Sequence, residues 1–180
     1  MAYTEDFSGR PLVAGTIRGI RTWDMSAEYR LVSPFQYFEW QATDNVSECV
    51  QYVQKSVYLE DDNSTFYTVH DRLTNFEHKP APKHCSCGFY AYHKHAVPQR
   101  TTTEVIFEGH IRGILEGYGT VTVGSKGFRA EKANILALIQ SSNSYLDWNK
   151  VWDNYPEIPL FSSLEEAIEA FPMPDIMETA

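Results

Sequence analysis

The chain has 180 residues, 43% of them hydrophobic, which is enough for one domain with a proper core and too few for two of ordinary size. Fifteen Lys and Arg against 24 Asp and Glu leave a net charge of −9, the reverse of the basic footprint that a general nucleic-acid binder needs to neutralise phosphates. No apolar run approaches the length that crosses a bilayer, and the start Met1–Asp6 carries neither a basic nor an apolar leader segment, so a cytoplasmic protein is expected.

Residues 15–23 alternate in character, turn at Asp24 to Ala27 and return over Tyr29 to Ser33, which reads as a hairpin closed off by Pro34. Val50, Val53 and Val57 have helical spacing, so a short helix is predicted over Val46 to Gln54, against the pull of its β-branched residues. Glu60 to Ser64 is an acidic turn, and Phe66 to Val69 a short strand. Residues 109–114 repeat the Gly-x-Ile-Arg-Gly-Ile pattern of residues 15–20. With Gly117 and Gly119 read as a turn, they predict a second hairpin with Thr120 to Val123. A pseudo-repeat of two equivalent hairpins is one reading of that pattern, and chance recurrence is the other.

Residues 127–140 read as a helix buried against the sheet, with Ala133, Leu136, Ala137 and Gln140 in one stripe and Ile135, Leu138 and Ile139 widening it. Tyr145 to Tyr155 is an aromatic linker, and Pro156 to Phe161 is extended by its prolines. Ser163-Leu164-Glu165-Glu166 is a capping box that opens a helix over Leu164 to Phe171, ended by Pro172. The expected fold is α+β: two antiparallel hairpins in a small sheet, a zinc-stapled loop region, one buried helix and a short C-terminal helix. Residues 11–171 form the single zinc-binding domain, flanked by flexible ends at 1–10 and 172–180.

The chemistry-bearing stretch is His78 to Ala91, where Cys85-Ser86-Cys87-Gly88 places two of the three cysteines one residue apart among histidines. An odd thiol count in a reducing compartment argues for metal over a disulfide framework. Zinc brings two thiolate sulfurs within roughly 4 Å of each other, closer than alternate positions of a straight strand allow, so the backbone must curl there, and Gly88 tolerates the turn that follows. A tetrahedral site needs two further ligands from Cys49 and the histidines at 70, 78, 84, 93 and 95. The reading chosen is Cys49, His78, Cys85 and Cys87 around zinc: six residues between His78 and Cys85 let a loop close, and Cys49 is the other thiol. His93 is the runner-up to His78.

Upstream Cys49, His78 before Pro80 and Pro82, Cys85-Ser86-Cys87-Gly88-Phe89-Tyr90-Ala91 and Gly127-Phe128-Arg129-Ala130-Glu131 together resemble a group of small uncharacterised proteins of actinobacteria and their phages. Those share a Cys, a His near Pro, a Cys-x-Cys-Gly-Ile-Tyr-Ala motif and a Gly-(Tyr/Phe)-Arg-Ala-Glu helix start. Phe89 stands here where Ile is usual, and the stretch between Cys49 and His78 is longer. The resemblance implies a zinc-stapled fold and a phage or actinobacterial setting, and carries no activity. If the chain is phage-encoded, the expectation is that it acts on a host protein in the host cytoplasm.

Three functions fit these residues. A non-catalytic protein-binding module with structural zinc is favoured, since a four-ligand site leaves no open position for water or substrate and no spacing singles out a catalytic pair. Its anchors would be the Trp and Tyr side chains of 145–155. A zinc- or cysteine-dependent hydrolase would need His93 or His95 beside a thiol, or Glu104 or Glu108 beside a metal-bound water. A local nucleic-acid patch would use Lys79, Lys83, Lys94 and Arg100. The Gly124–Gly127 turn before Arg129 is weighed as an anion site at a helix start and set below a structural role for Arg129.

Overall fold

The computed structural model describes residues 11–12, 15–33, 38–48, 51–58, 66–73, 87–97, 111–140 and 146–174, with 11–12, 51–58 and 66–73 described as backbone. The fold is mostly β. Its spine is two 13-residue strands, β8 (Ile111–Val123) and β9 (Gly127–Ile139), joined by the turn at 124–126. The other strands are β1 (Pro11–Leu12), β2 (Ile17–Met25), β3 (Leu31–Val32), β4 (Asn45–Val46), β5 (Gln51–Tyr58), β6 (Phe66–Leu73), β7 (Phe89–Tyr92) and β10 (Leu160–Phe161), with short helices α1 (Trp148–Asn154) and α2 (Leu164–Ala170).

Both outer edges of the spine are occupied in sequence. Along the free edge of β8 lie β2, paired from Ile17 with Gly117 to Trp23 with Ile111, and then β1, paired with Val121 and Thr122. Along the free edge of β9 lie β7 opposite 127–130, β4 opposite Lys132 and Ala133, and the carbonyl of Ala42, which accepts from Ile135 N. Beyond them β10 runs parallel to β9 at Leu138 and Ile139. β2 then meets β7 through the pair Ile20 and Tyr92, so β8, β2, β7 and β9 form a closed ring. β5 and β6 make a separate antiparallel ladder from Gln51 with Leu73 to Tyr58 with Phe66.

Close approach of the strands explains several glycines. A methyl group on Gly113 would sit 2.1 Å from the Ala137 carbonyl oxygen, and one on Gly117 would sit 2.5 Å from the Phe128 ring. The inner core fills the ring with Trp23, Trp40, Phe89, Phe128, Leu115 and Ile135, and is sealed below by Val151, Tyr155 and Ile158 of the C-terminal segment. A second core lies on the outer face of the sheet, where Ile20, Ile114 and Ala137 are covered by Ala167 of α2, with Leu164, Ile168 and Phe171 around it. The C-terminal segment therefore packs back on the domain, as the apolar stripe of its helix predicts. The predicted cap forms, with Ser163 Oγ accepting from Glu166 N at 3.2 Å, while the Glu166 carboxylate reaches one residue beyond the N-cap and accepts from Ser162 N and Oγ.

The first predicted hairpin stands as β2 and β3, paired at Asp24 with Val32 and Met25 with Leu31, and Phe66 to Val69 begins β6. Other expectations are corrected. The buried helix over 127–140 is strand β9: toward its C-terminal end both faces meet a core, and the apolar run Ile135–Ile139 hides the strand period. The second hairpin is the single strand β8. Gly117 admits Phe128, and Gly119, at φ +78°, belongs to a bulge between Tyr118 and Val121 whose Thr120 N–H donates to Glu131 Oε2 at 3.0 Å. The two Gly-x-Ile-Arg-Gly-Ile segments thus contribute to adjacent antiparallel strands, with Ile20 opposite Ile114, and are not two equivalent hairpins. The helix over 46–54 is replaced by the end of β4 and the start of β5, following its β-branched content. The aromatic linker holds α1. Among the described residues, no helix is long and apolar enough to cross a membrane.

Candidate functional site

Of the four predicted zinc ligands, Cys87 is described and Cys49, His78 and Cys85 lie outside the described residues. Cys87 is buried immediately before β7, and Gly88 after it has φ +120°, a conformation in which a Cβ is strained and glycine is not. The register of β9 shows what adjoins this point. Phe89 pairs with Ala130, and the next residue, Glu131, accepts at its carbonyl from Ser47 N at 2.9 Å and Ser47 Oγ at 2.8 Å. The chain leaving β4 and the chain entering β7 therefore come together on one edge of β9. Among the described residues, no group of three His, Cys, Asp or Glu side chains is gathered as a metal would require.

His93 and His95 are engaged elsewhere. His93 Nε2 is 3.0 Å from the Gly124 carbonyl oxygen and His95 Nε2 is 3.2 Å from that of Ser125, with the two rings 5.6 Å apart. A carbonyl only accepts, so both Nε2 atoms carry the proton in these contacts. Five residues, Gly88 and the four of β7, lie between Cys87 and His93, and the strand's rise sets the two roughly 15–20 Å apart along the chain. His93 and Cys87 therefore stand at opposite ends of β7, and the contact shown for the His93 ring is with the 124–126 turn. The same contacts correct the anion reading of the 124–127 turn. It joins two strands, no helix begins there, and its carbonyls at 124, 125 and 126 face His93 and His95. Arg129 lies on β9, fully buried, with its guanidinium carbon 5.9 Å from the Tyr90 ring. Lys94 of the predicted basic patch is exposed, whereas Lys79, Lys83 and Arg100, like Glu104 and Glu108, fall outside the described residues.

No family model, curated protein or solved structure matches this chain. Its own geometry carries the functional argument.

The aromatics of 145–155 divide by orientation. Val151 and Tyr155 face the core and Trp148 packs against it, while Trp152 projects outward, 45% exposed. Helix α1 is held firmly for its length. Asp147 caps it through Asn149 N, Asn154 Nδ2 donates to the carbonyls of Glu28 and Tyr29, and Lys150 Nζ lies 4.7 Å over the Tyr29 ring. Tyr155, the residue after α1, accepts from Leu31 N at 2.8 Å and donates to the Trp40 carbonyl at 3.0 Å. Residues 146–174 carry six carboxylates, Asp147, Asp153, Glu157, Glu165, Glu166 and Glu169, all exposed, against one cation, Lys150.

Sequence reasoning missed Arg21. Its guanidinium stacks 4.7 Å from the Trp40 ring, Nη1 donates to the Tyr90 carbonyl at 2.6 Å, and Nη2 donates to Ser33 Oγ, which also accepts from Trp40 Nε1. The residue as a whole is half-buried, but Nε is shut off from solvent without an acceptor. Burial pulls the guanidinium down to about 10, opposed by Tyr92. Among the described residues no carboxylate pairs with it. The signal available was a charged residue inside an alternating apolar stretch, at the parity of Ile17, Gly19 and Trp23, which all face the inner core.

Proposed function

We propose that this protein is a non-catalytic module that binds another protein, with a structural zinc held by Cys49, His78, Cys85 and Cys87. The binding part rests on Trp152: a large aromatic side chain left open to water on a helix whose every other anchor is tied down. Exposed tryptophan on a rigid element loses little entropy on docking, and tryptophan is enriched among the residues that dominate binding energy.

Support for the zinc comes from the junction on β9. Cys49 follows Ser47 by two residues and Cys87 precedes Phe89 by two, so covalent geometry keeps each cysteine's Cα within about 7 Å of a residue at that junction. Gly88 supplies the bend that Cys85-Ser86-Cys87 needs to direct both sulfurs at one ion. When bound, the metal would join the end of β4 to the start of β7 and add folding free energy on the order of 10 kcal/mol.

Two measurements test this. Purified protein is expected to carry one zinc per chain, and Cys85→Ser and Cys87→Ser to lose it together with cooperative unfolding. Wild-type melting with zinc retained in both variants would refute the metal site. For binding, affinity capture from an actinobacterial lysate should retain a defined protein on the wild-type chain and not on Trp152→Ala. A protein retained equally by both, or none retained by either, counts against Trp152 as the anchor.

A further inference from the structure

We infer that α2 is a strap that governs the opening of the ring at its seam, the meeting of β2 with β7: seating the helix on the outer face draws the two strands together, and lifting it releases them. Neither the metal nor Trp152 enters into this. The strand register places the seam under the helix. Tyr92 of β7 pairs with Ile20 of β2, Ile20 with Ile114 of β8, and Ile114 with Ala137 of β9, so one row of residues crosses four strands and ends at the seam. Ile20, Ile114 and Ala137 are buried in the outer core with Ala167 of α2, and Val97, which follows β7 past the turn at Lys94–Ala96, packs against the same cluster. The cluster under α2 therefore draws a residue from each side of the seam, Ile20 and Val97. The ladder between β2 and β7 is, among the described residues, the one pair Ile20 and Tyr92, so apolar cover supplies much of the hold on this face.

The helix is tied unequally at its two ends. Ahead of it, Leu138 N donates to the Pro159 carbonyl at 3.1 Å and Gln140 N to the Phe161 carbonyl at 2.8 Å, which fixes its approach to β9. Beyond it, the tie to β2 is a long, exposed hydrogen bond from Arg18 Nη1 to the Pro172 carbonyl at 3.4 Å, and the same guanidinium is held by Glu116 Oε1, 3.1 Å from Nε. The Ser162, Ser163 and Glu166 bonds stay within the strap. A seven-residue helix anchored at one end, and held at the other by apolar contact and one long bond, belongs with the segments that open ahead of global unfolding. Arg21 is the next residue after Ile20 and points to the opposite face of β2, where Nη1 grips the Tyr90 carbonyl of β7 at 2.6 Å. The strap outside and the guanidinium inside thus act on one joint.

Residue-resolved amide exchange on the full chain tests the coupling in both directions. Ala167→Asp places a charge beneath the helix and should speed exchange about tenfold or more at Phe171 of the strap and at Ile20 and Tyr92 of the seam, while Ile135, bonded to the Ala42 carbonyl on the spine, keeps its wild-type rate. Ser163→Ala weakens the cap and leaves the buried face intact, so it should give the same pattern at about fivefold and serves where Ala167→Asp does not fold. Coupling between two elements is reciprocal, so Arg21→Lys at the seam should in turn speed exchange at Phe171. Faster exchange confined to Phe171 in the helix variants would make α2 a mere cover and overturn the inference. Equal acceleration at Ile135 would overturn it as well, since the opening would then be global, and so would an unchanged Phe171 in Arg21→Lys.

Discussion

Tyr155 joins three stretches of chain through one oxygen, taking the Leu31 amide and giving its proton to the Trp40 carbonyl. Both backbone groups are buried, so Tyr155→Phe leaves a donor and an acceptor without partners and is expected to cost about 2–3 kcal/mol. Burial also holds the phenol neutral, raising its pKa above the ordinary 10 against the opposing bond from Leu31. A folded value above the unfolded one means that the contribution is complete below about pH 10 and is lost as pH rises through the folded value. Urea denaturation between pH 8 and 11.5 should therefore show a fall in wild-type stability that is shallower in Tyr155→Phe. An equal fall in both would place the titrating group elsewhere.

Among the elements, α2 is the one whose purpose its sequence states most openly. Ser163, Glu166 and the stripe Leu164, Ala167, Ile168 and Phe171 announce a capped amphipathic helix, and the helix covers Ile20, Ile114 and Ala137 as the stripe demands. Ser163→Ala should cost about 1 kcal/mol in thermal or chemical melts. A chain ending at Asn154 should instead lose cooperative unfolding or associate in sedimentation, because it removes Tyr155 and uncovers the outer core. β9 was illegible for a specific reason. Its residues facing the inner core are Phe128 and Ala130, then Ala133 and Ile135, then Leu138, so alternation is interrupted twice, and Leu136 is the extra residue of a bulge between the pairs Ala137 with Ile114 and Ile135 with Leu115. Spacings of two and three mixed together imitate a helical stripe. Gly117 and Gly119 misled similarly: read as a turn, they serve a ring contact and a bulge within one strand.

At the scale of the whole molecule, the ring is closed unequally. β8 pairs with β9 and β2 over long ladders, whereas among the described residues β2 and β7 share the pair Ile20 and Tyr92, reinforced by Arg21 reaching the Tyr90 carbonyl. Local opening should begin at this seam. Amide exchange at Ile20 and Tyr92 is expected to outpace that at Leu138, and Arg21→Lys, which cannot reproduce the forked contact, should speed seam exchange about tenfold with little change at Leu138. Uniform acceleration at both would make Arg21 a general stabiliser and not a clasp. The candidate site was legible in part. Gly88 beside Cys87 announced the bend, and the tryptophans at 148 and 152 announced an aromatic segment, but only packing reveals that one of them faces water. The meeting of β4 with β7 could not be read at all, since it depends on both strands choosing the same edge of β9.

The two-strand spine also sets the order in which the chain can assemble. β8 and β9 are neighbours in sequence across a three-residue turn, so they can form early and locally, whereas β2 must wait for a strand far along the chain: Arg18 and its partner Glu116 are 98 residues apart. During synthesis β2 leaves the ribosome with its pairing edge and its apolar Ile17, Ile20 and Trp23 uncovered until β8 has followed. Folding dominated by such distant pairing belongs to the millisecond-to-second range, and the interval before β8 arrives is when this chain is most exposed to edge-to-edge aggregation.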